Sequence, residues 1–148
     1  MLTDTSLYDQ NTFYKALGRD LASAQLEVII ESPFITEKRM NVLLPIFAEM
    51  CRRNVRIIVN TRNPNEHDGE YYYQALNAVS AMQDLGIAVL YTSGHHRKLV
   101  IIDRQIVYEG SLNVLSFSDS CEIMRKIVSE NIAMELCKFI KIDRYIRR

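Results

Sequence analysis

The sequence predicts an α/β fold, a mixed β-sheet flanked by helices on both faces. Three observations predict it. Short apolar runs at Leu26–Glu31, Val55–Asn60 and Ile87–Tyr91 read as buried strands. The stretches between them carry helical signals, and strands alternating with helices are the pattern of an α/β sheet. Lys98–Asp103 and Ile106–Tyr108 then follow each other as a hairpin, which adds antiparallel pairing. At 148 residues the chain is expected to be one domain, residues 1–148, with a sizeable core.

Taken in order, Asn11–Gln25 is a helix, because Phe13, Leu17 and Leu21 recur on one face. Leu26–Glu31 is the first strand, and Ser32-Pro33 breaks it. Thr36 can cap a helix running to about Arg53, with Glu37 in its first turn. Pro45 should kink or split that helix. Val55–Asn60 is the second strand, Thr61–Gly69 a polar loop, and Glu70–Leu85 a helix ended by Gly86. Ile87–Tyr91 is the third strand. After the hairpin, Glu122 and the apolar stretch Ile123–Val128 form a further strand, and a last helix starts at about Glu130.

The hairpin carries the chemistry. The string is H-x-K-x4-D-x6-G-S-x-N: His96, Lys98, Asp103, Gly110, Ser111, Asn113. Alternation along a strand puts His96 and Lys98 on one face. If Arg104-Gln105 is a two-residue turn, Asp103 pairs with Ile106, Lys98 faces Ser111, and His96 faces Asn113. Arg-Gln offers no residue suited to positive φ, and a one-residue slip would move the second set to the other face. Asp103 lies on the opposite face from Lys98 and ~16 Å along the strand, so it reads as structural. An imidazole, an ammonium and an amide gathered at one end are equipment for attack on a phosphodiester.

This string resembles the HKD motif of the phospholipase D superfamily, with each of the six residues at the family spacing. The resemblance extends over most of the chain, with Leu26–Phe34 as the family's first core strand. It implies the superfamily's sandwich and a phosphohistidine mechanism. His96 would attack phosphorus, and a second histidine would serve as acid and then base. Lys98 and Asn113 would bind the non-bridging oxygens, supported by Ser111. Glu122 would orient His96. No metal or other cofactor is implied, because lysine and amide donors take the metal's place. His67 and His95 lie outside any second H-x-K context, so the second histidine is expected from a homodimer whose two-fold axis passes through the site.

Composition sets the remaining expectations. Lys plus Arg (18) balance Asp plus Glu (18), which is unusual for a protein that grips nucleic acid. Basic residues nevertheless cluster around the motif (Arg97, Lys98, Arg104, Arg125, Lys126) and towards the end (Lys138, Lys141, Arg144, Arg147, Arg148). The second cluster equally suits the end of a helix. Cys51, Cys121 and Cys137 show no metal spacing and fit a reducing cytoplasm. No apolar stretch approaches the ~18 residues of a membrane span, so no membrane partner is expected.

Arg62 and Tyr71, in and after the 61–69 loop, are candidate nucleic-acid contacts, with Arg97 and with Ser116 and Ser118 of the loop after Asn113. The phosphate machinery would serve DNA, RNA or a lipid. The family's minimal single-copy members are typically nucleases, which favours an endonuclease on DNA or RNA, aimed by a targeting protein or a helicase. The alternatives are a phospholipid phosphodiesterase and a non-catalytic nucleic-acid-binding or dimerisation module.

Overall fold

The computed structural model describes residues 4–144. Seven strands form one sheet: β1 (Asp4–Tyr8), β2 (Glu27–Glu31), β3 (Arg56–Thr61), β4 (Ala88–Tyr91), β5 (Leu99–Ile102), β6 (Ile106–Gly110) and β7 (Met124–Val128). Their order across the sheet is β1-β7-β6-β5-β2-β3-β4. β2, β3 and β4 run parallel, and every other neighbouring pair is antiparallel, so the sheet is mixed.

Helices cover both faces. On one face α1 (Phe13–Ser23), α2 (Glu37–Arg52) and α3 (Glu70–Asp84) bury Leu17, Leu21, Phe47, Met50 and Met82 against Val28, Ile30, Val59, Val100 and Tyr108. On the other, α4 (Glu130–Ile140) packs Ala133, Cys137 and Ile140 on Ile29, Ile101 and Val107. The alternation of Val28 and Ile30 with Ile29 is the strand period expressed as two cores.

Several elements differ from the sequence reading. Helix α2 runs unbroken through Pro45. Pro45 and Asn41 are both exposed, so water can satisfy the Asn41 carbonyl that loses its helical donor, while Leu43 and Phe47 hold the helix to the sheet. Thr36 precedes α2 but its side chain makes no cap; the Glu37 amide donates instead to Gln74 Oε1 of α3 at 2.8 Å. Glu122 falls in the connection before β7 rather than on a strand. β1 was not predicted. Its sequence, DTSLY, has no apolar run, and it exists by pairing with β7 at the sheet edge.

The hairpin register is slipped by one residue from the expected one. Ile102 pairs with Ile106, and Asp103–Gln105 form a three-residue loop. Asp103 and Arg104 both adopt positive φ, 53° and 52°. Tertiary contacts hold this costly turn. The Asp103 carboxylate accepts from the backbone N–H groups of Gln25, Leu26 and Glu27 at 3.0, 2.8 and 3.0 Å. Arg104 is clamped by Glu27 and Asp143. Lys98 therefore lies opposite Gly110, not Ser111.

Among the described residues no helix is long and apolar enough to cross a membrane. Arg147 and Arg148, part of the expected basic end, lie outside the described residues.

Candidate active site

The topology gathers the candidate residues at one edge of the sheet. The carboxyl ends of parallel β2, β3 and β4 point to this edge, where α/β sheets place their sites. β5 is antiparallel to β2, so its start lies there too, with Leu99 opposite Glu31. The end of β6 and the start of β7 follow, Gly110 opposite Met124. The 92–98 segment brings His96 and Lys98 to this edge. The 111–123 segment brings Ser111, Asn113 and Glu122. Asp103 is at the opposite edge, tied to the start of β2.

His96 is exposed and Lys98 half-buried. Lys98 Nζ lies 3.0 Å from His96 Nδ1 and 3.0 Å from the His96 carbonyl oxygen. An ammonium can only donate, so this contact requires a lone pair on Nδ1 and leaves the ring proton on Nε2. Attack through Nε2 needs the other tautomer. A bound phosphate that drew Lys98 onto its oxygens would release Nδ1. Burial pushes the Lys98 pKa below its ordinary value; Glu122 pulls it back up, and Arg62 adds to the lowering. Lys98 thus feels an acidic and a basic neighbour at once.

Gly110 and Ser111 build the exit from β6. A Cβ on Gly110 would stand 2.3 Å from the Ile123 carbonyl oxygen, so no side chain fits there. The Ser111 amide donates to that oxygen at 2.9 Å, and Ser111 Oγ accepts from the Ile123 amide at 3.0 Å. Ser111 therefore fastens the chain beside Glu122, rather than bonding to Lys98 or Asn113. Asn113 sits between Leu112 and Val114, both fully buried, and its Oδ1 is buried without a partner. Buried polar atoms are seldom left so, and the amide that would donate to a phosphate is the Nδ2 on the other side of the same group. Among the described hydrogen bonds, none links Glu122 to His96. The Glu122 amide donates to Gln10 Oε1.

The other candidates divide. Arg62 belongs to the site edge: its Nε and one terminal nitrogen donate to the His95 carbonyl oxygen at 3.2 and 2.9 Å, and it lies over the Phe34 ring. Arg97 gives two hydrogen bonds to Glu31. Tyr71 is exposed on α3. Ser116 is buried and its carbonyl accepts from Tyr14, whose hydroxyl also takes the Ser118 amide, so this loop is fastened to α1 and not open to a ligand at Ser116. The sequence cluster of cations is largely neutralised in space. Arg104 pairs with Glu27 and Asp143, Lys126 with Asp20, and Arg97 with Glu31.

An open groove of about 770 Å³ lies against His96, Lys98 and Ser111. Arg125 and the apolar Leu7, Ile123, Leu136 and Phe139 also line it. Among the described residues, no group of three or more His, Cys, Asp or Glu side chains is placed to hold a metal ion.

Residues 17–143 match the family model described as cardiolipin synthase, phospholipase D-like domain. The chain belongs to the phospholipase D superfamily. Solved structures agree on the fold. Nuc from Salmonella typhimurium, a phospholipase D family member, superposes with a TM-score of 0.76 at 16% identity, covering 97% of this chain and 95% of that one. NucT from Helicobacter pylori gives 0.75 at 16% identity, with 95% and 94% covered. TrmBL2, an archaeal chromatin protein with a novel mode of DNA binding, gives 0.64 at 10% identity, with 95% of this chain and 51% of that one covered. None of the curated proteins matches.

Sequence reasoning missed Glu31, buried at the end of β2 beside the His96 segment. The available signal was a carboxylate directly following the apolar run Val28–Ile30, which demands a partner once buried.

Proposed function

We propose that this protein is a metal-independent phosphodiesterase that hydrolyses nucleic acid, DNA before RNA, through a phosphohistidine intermediate in a homodimeric site. The observation that carries the proposal is the contact of His96 with Lys98 in an open groove, at the edge to which Ser111, Asn113 and Glu122 are also delivered.

A His96 ring nitrogen attacks phosphorus as the bond to the leaving oxygen breaks, and a second imidazole gives that oxygen its proton. Water, deprotonated by the same second imidazole, then attacks phosphorus and breaks the N–P bond. Lys98 and the Asn113 amide stabilise the charge on the non-bridging oxygens. Glu122 accepts from the other nitrogen of His96 once Lys98 has turned to phosphate.

The second imidazole comes from the partner. His67 and His95 of the same chain are buried, 8% and 3% exposed, so neither is presented to the groove. The two-fold axis lies beside His96.

Architecture supports nucleic acid, because the likeness to Nuc and NucT runs over nearly the whole of each chain. The paired state of Arg97, Arg104 and Lys126 predicts weak intrinsic binding, with targeting supplied by another protein, such as a helicase.

Cleavage of supercoiled plasmid and of labelled single-stranded DNA and RNA, in excess EDTA, tests the reading. Wild type should cut and His96→Ala should not. Cutting that needs a metal, or survives in the variant, rejects the mechanism. A second reading, a lipid phosphodiesterase, is favoured by the apolar groove wall, where Phe139 is 72% exposed. Release of a lipid headgroup without cutting of nucleic acid would select it. If neither substrate is cut and His96→Ala leaves nucleic-acid binding intact, the protein is a binding module.

A further inference from the structure

Glu31 ends β2 at the active-site edge, and it is fully buried. Its carboxylate accepts three hydrogen bonds. Arg97 donates to it twice, from Nε at 2.7 Å and from a terminal nitrogen at 3.1 Å. Asn60 Nδ2 of neighbouring β3 donates at 2.8 Å, and Asn60 Oδ1 accepts from Thr92 Oγ1 at 2.9 Å. His95 Nε2 stands 3.8 Å away, buried and without a hydrogen-bond partner.

These partners have a common address. Thr92, His95 and Arg97 all belong to the segment between β4 and β5, and His95 and Arg97 are the two neighbours of His96. Outside this network the segment is fixed at its start, by the Thr92 amide on the Thr61 carbonyl, the Gly94 amide on Glu66 Oε1, a turn from the His95 amide to the Thr92 carbonyl and the grip of Arg62 on the His95 carbonyl; beyond residue 95, Arg97 on Glu31 is the side-chain tie that links the segment to another element among the described hydrogen bonds. His95 is buried beside Glu31, Arg97 reaches Glu31 from the groove rim with its side chain partly exposed, and His96 between them is exposed.

We infer that Glu31 is the positioning residue of this site: it anchors the chain on both sides of His96, so that the imidazole emerges only into the groove. The inference rests on His96 being the nucleophile. Stability alone explains the arrangement poorly, because a buried ion pair is often matched by apolar residues of similar volume. Placement of a reacting group explains it better, since a displacement of about 1 Å can cost ~100-fold in rate. Arg97, bound through two donors to Glu31, is accordingly part of the scaffold and not a substrate contact.

The test uses Glu31→Gln and Arg97→Ala. Glutamine offers one acceptor where Arg97 and Asn60 need two. Each variant is assayed on bis(p-nitrophenyl) phosphate in EDTA, a probe that needs no targeting. Long-range ¹H–¹⁵N spectra follow the His96 imidazole independently of activity. We expect kcat to fall at least ~10-fold with KM within ~2-fold, in both variants. The His96 ring resonances should shift or split. A rise in KM as the main effect would overturn the inference by making Arg97 a substrate contact. Unchanged kcat with unmoved His96 resonances would overturn it outright. If wild type does not cleave the probe, the spectra decide alone: moved His96 resonances uphold the anchoring of His96 by Glu31, unmoved ones overturn it, and the phosphodiesterase reading is judged by the plasmid and single-strand assay. Should Glu31→Gln fail to fold, Arg97→Ala carries the test, because that side chain is 42% exposed.

Discussion

Replacing Asp103 separates the part of the motif that holds the fold from the part placed for chemistry. Its carboxylate accepts three backbone N–H groups of residues 25–27 at 2.8–3.0 Å. The Gln25 and Leu26 bonds are exposed, so water replaces much of what is lost, and ~0.5–1 kcal/mol each is a fair figure. The Glu27 bond is part-buried and charge-assisted, worth ~1.5 kcal/mol. Alanine also sits poorly at the Asp103 φ of 53°, adding ~1 kcal/mol. Asp103→Ala should therefore cost ~3.5–4.5 kcal/mol. Asp103→Asn keeps one acceptor oxygen and tolerates the left-handed region, and should cost ~1 kcal/mol. At ~2–4 °C per kcal/mol for a chain of this size, Tm falls by ~7–18 °C for alanine and ~2–4 °C for asparagine. Urea titration and thermal melts read these values. The same proteins, assayed on bis(p-nitrophenyl) phosphate below their melting range, should keep kcat near wild type. An Asp103→Asn protein that melts like wild type but has lost activity would refute the reasoning and put the carboxylate into the reaction.

Other perturbations follow from the same geometry. Activity should fall as pH rises through the Lys98 pKa, since only the ammonium stabilises phosphate oxygens; burial lowers that pKa, so the alkaline limb of kcat/KM should have its midpoint below 10.5 and disappear in Lys98→Arg. A limb unaffected by that substitution would assign it to another group. Gly110→Ala should destabilise by ~1–3 kcal/mol and depress activity, because the added Cβ drives β6 from Ile123 and strains the Ser111 staple; an unchanged melt would reject the close approach. Pro45→Ala should stabilise by about 1–2 kcal/mol, the gain in helix propensity exceeding the loss of unfolded-state restraint. Sedimentation should show a dimer, and His96→Ala should abolish cleavage while leaving that dimer intact; an active monomer would overturn the shared site.

What could be read in the sequence was what local periodicity decides. Phe13, Leu17 and Leu21 mark one helix face, and they are fully buried. The β-branched runs of β2, β3 and β5 lie where alternation put them. The failures share a different cause, because each depends on residues distant in sequence. β1 has no apolar pattern and forms only because β7 offers it an edge. Nothing in Asp103-Arg104-Gln105 favours two left-handed residues; contacts with residues 25–27 and with Asp143 impose them, and the register follows.

The candidate site shows the same division and makes it chemical. His96 and Lys98 could be placed together from spacing alone, since a separation of two on an extended chain gives one face whatever surrounds it. Partnership across the fold could not. Five cations near the motif suggested a positive surface, yet Arg97, Arg104 and Lys126 are each committed to a carboxylate from another element. Among the described residues, the cations without a carboxylate partner that line the groove are Lys98 and Arg125, beside a wall of leucine, isoleucine and phenylalanine. So few free cations among the described residues predict little affinity for a polyanion from counterion release. The expected outcome is a substrate held by another chain or by apolar contact. The salt dependence of cleavage discriminates the two: a steep loss with salt would mean that a basic targeting partner supplies the grip, and a flat profile would move the apolar groove, and with it a lipid phosphodiester, ahead of DNA.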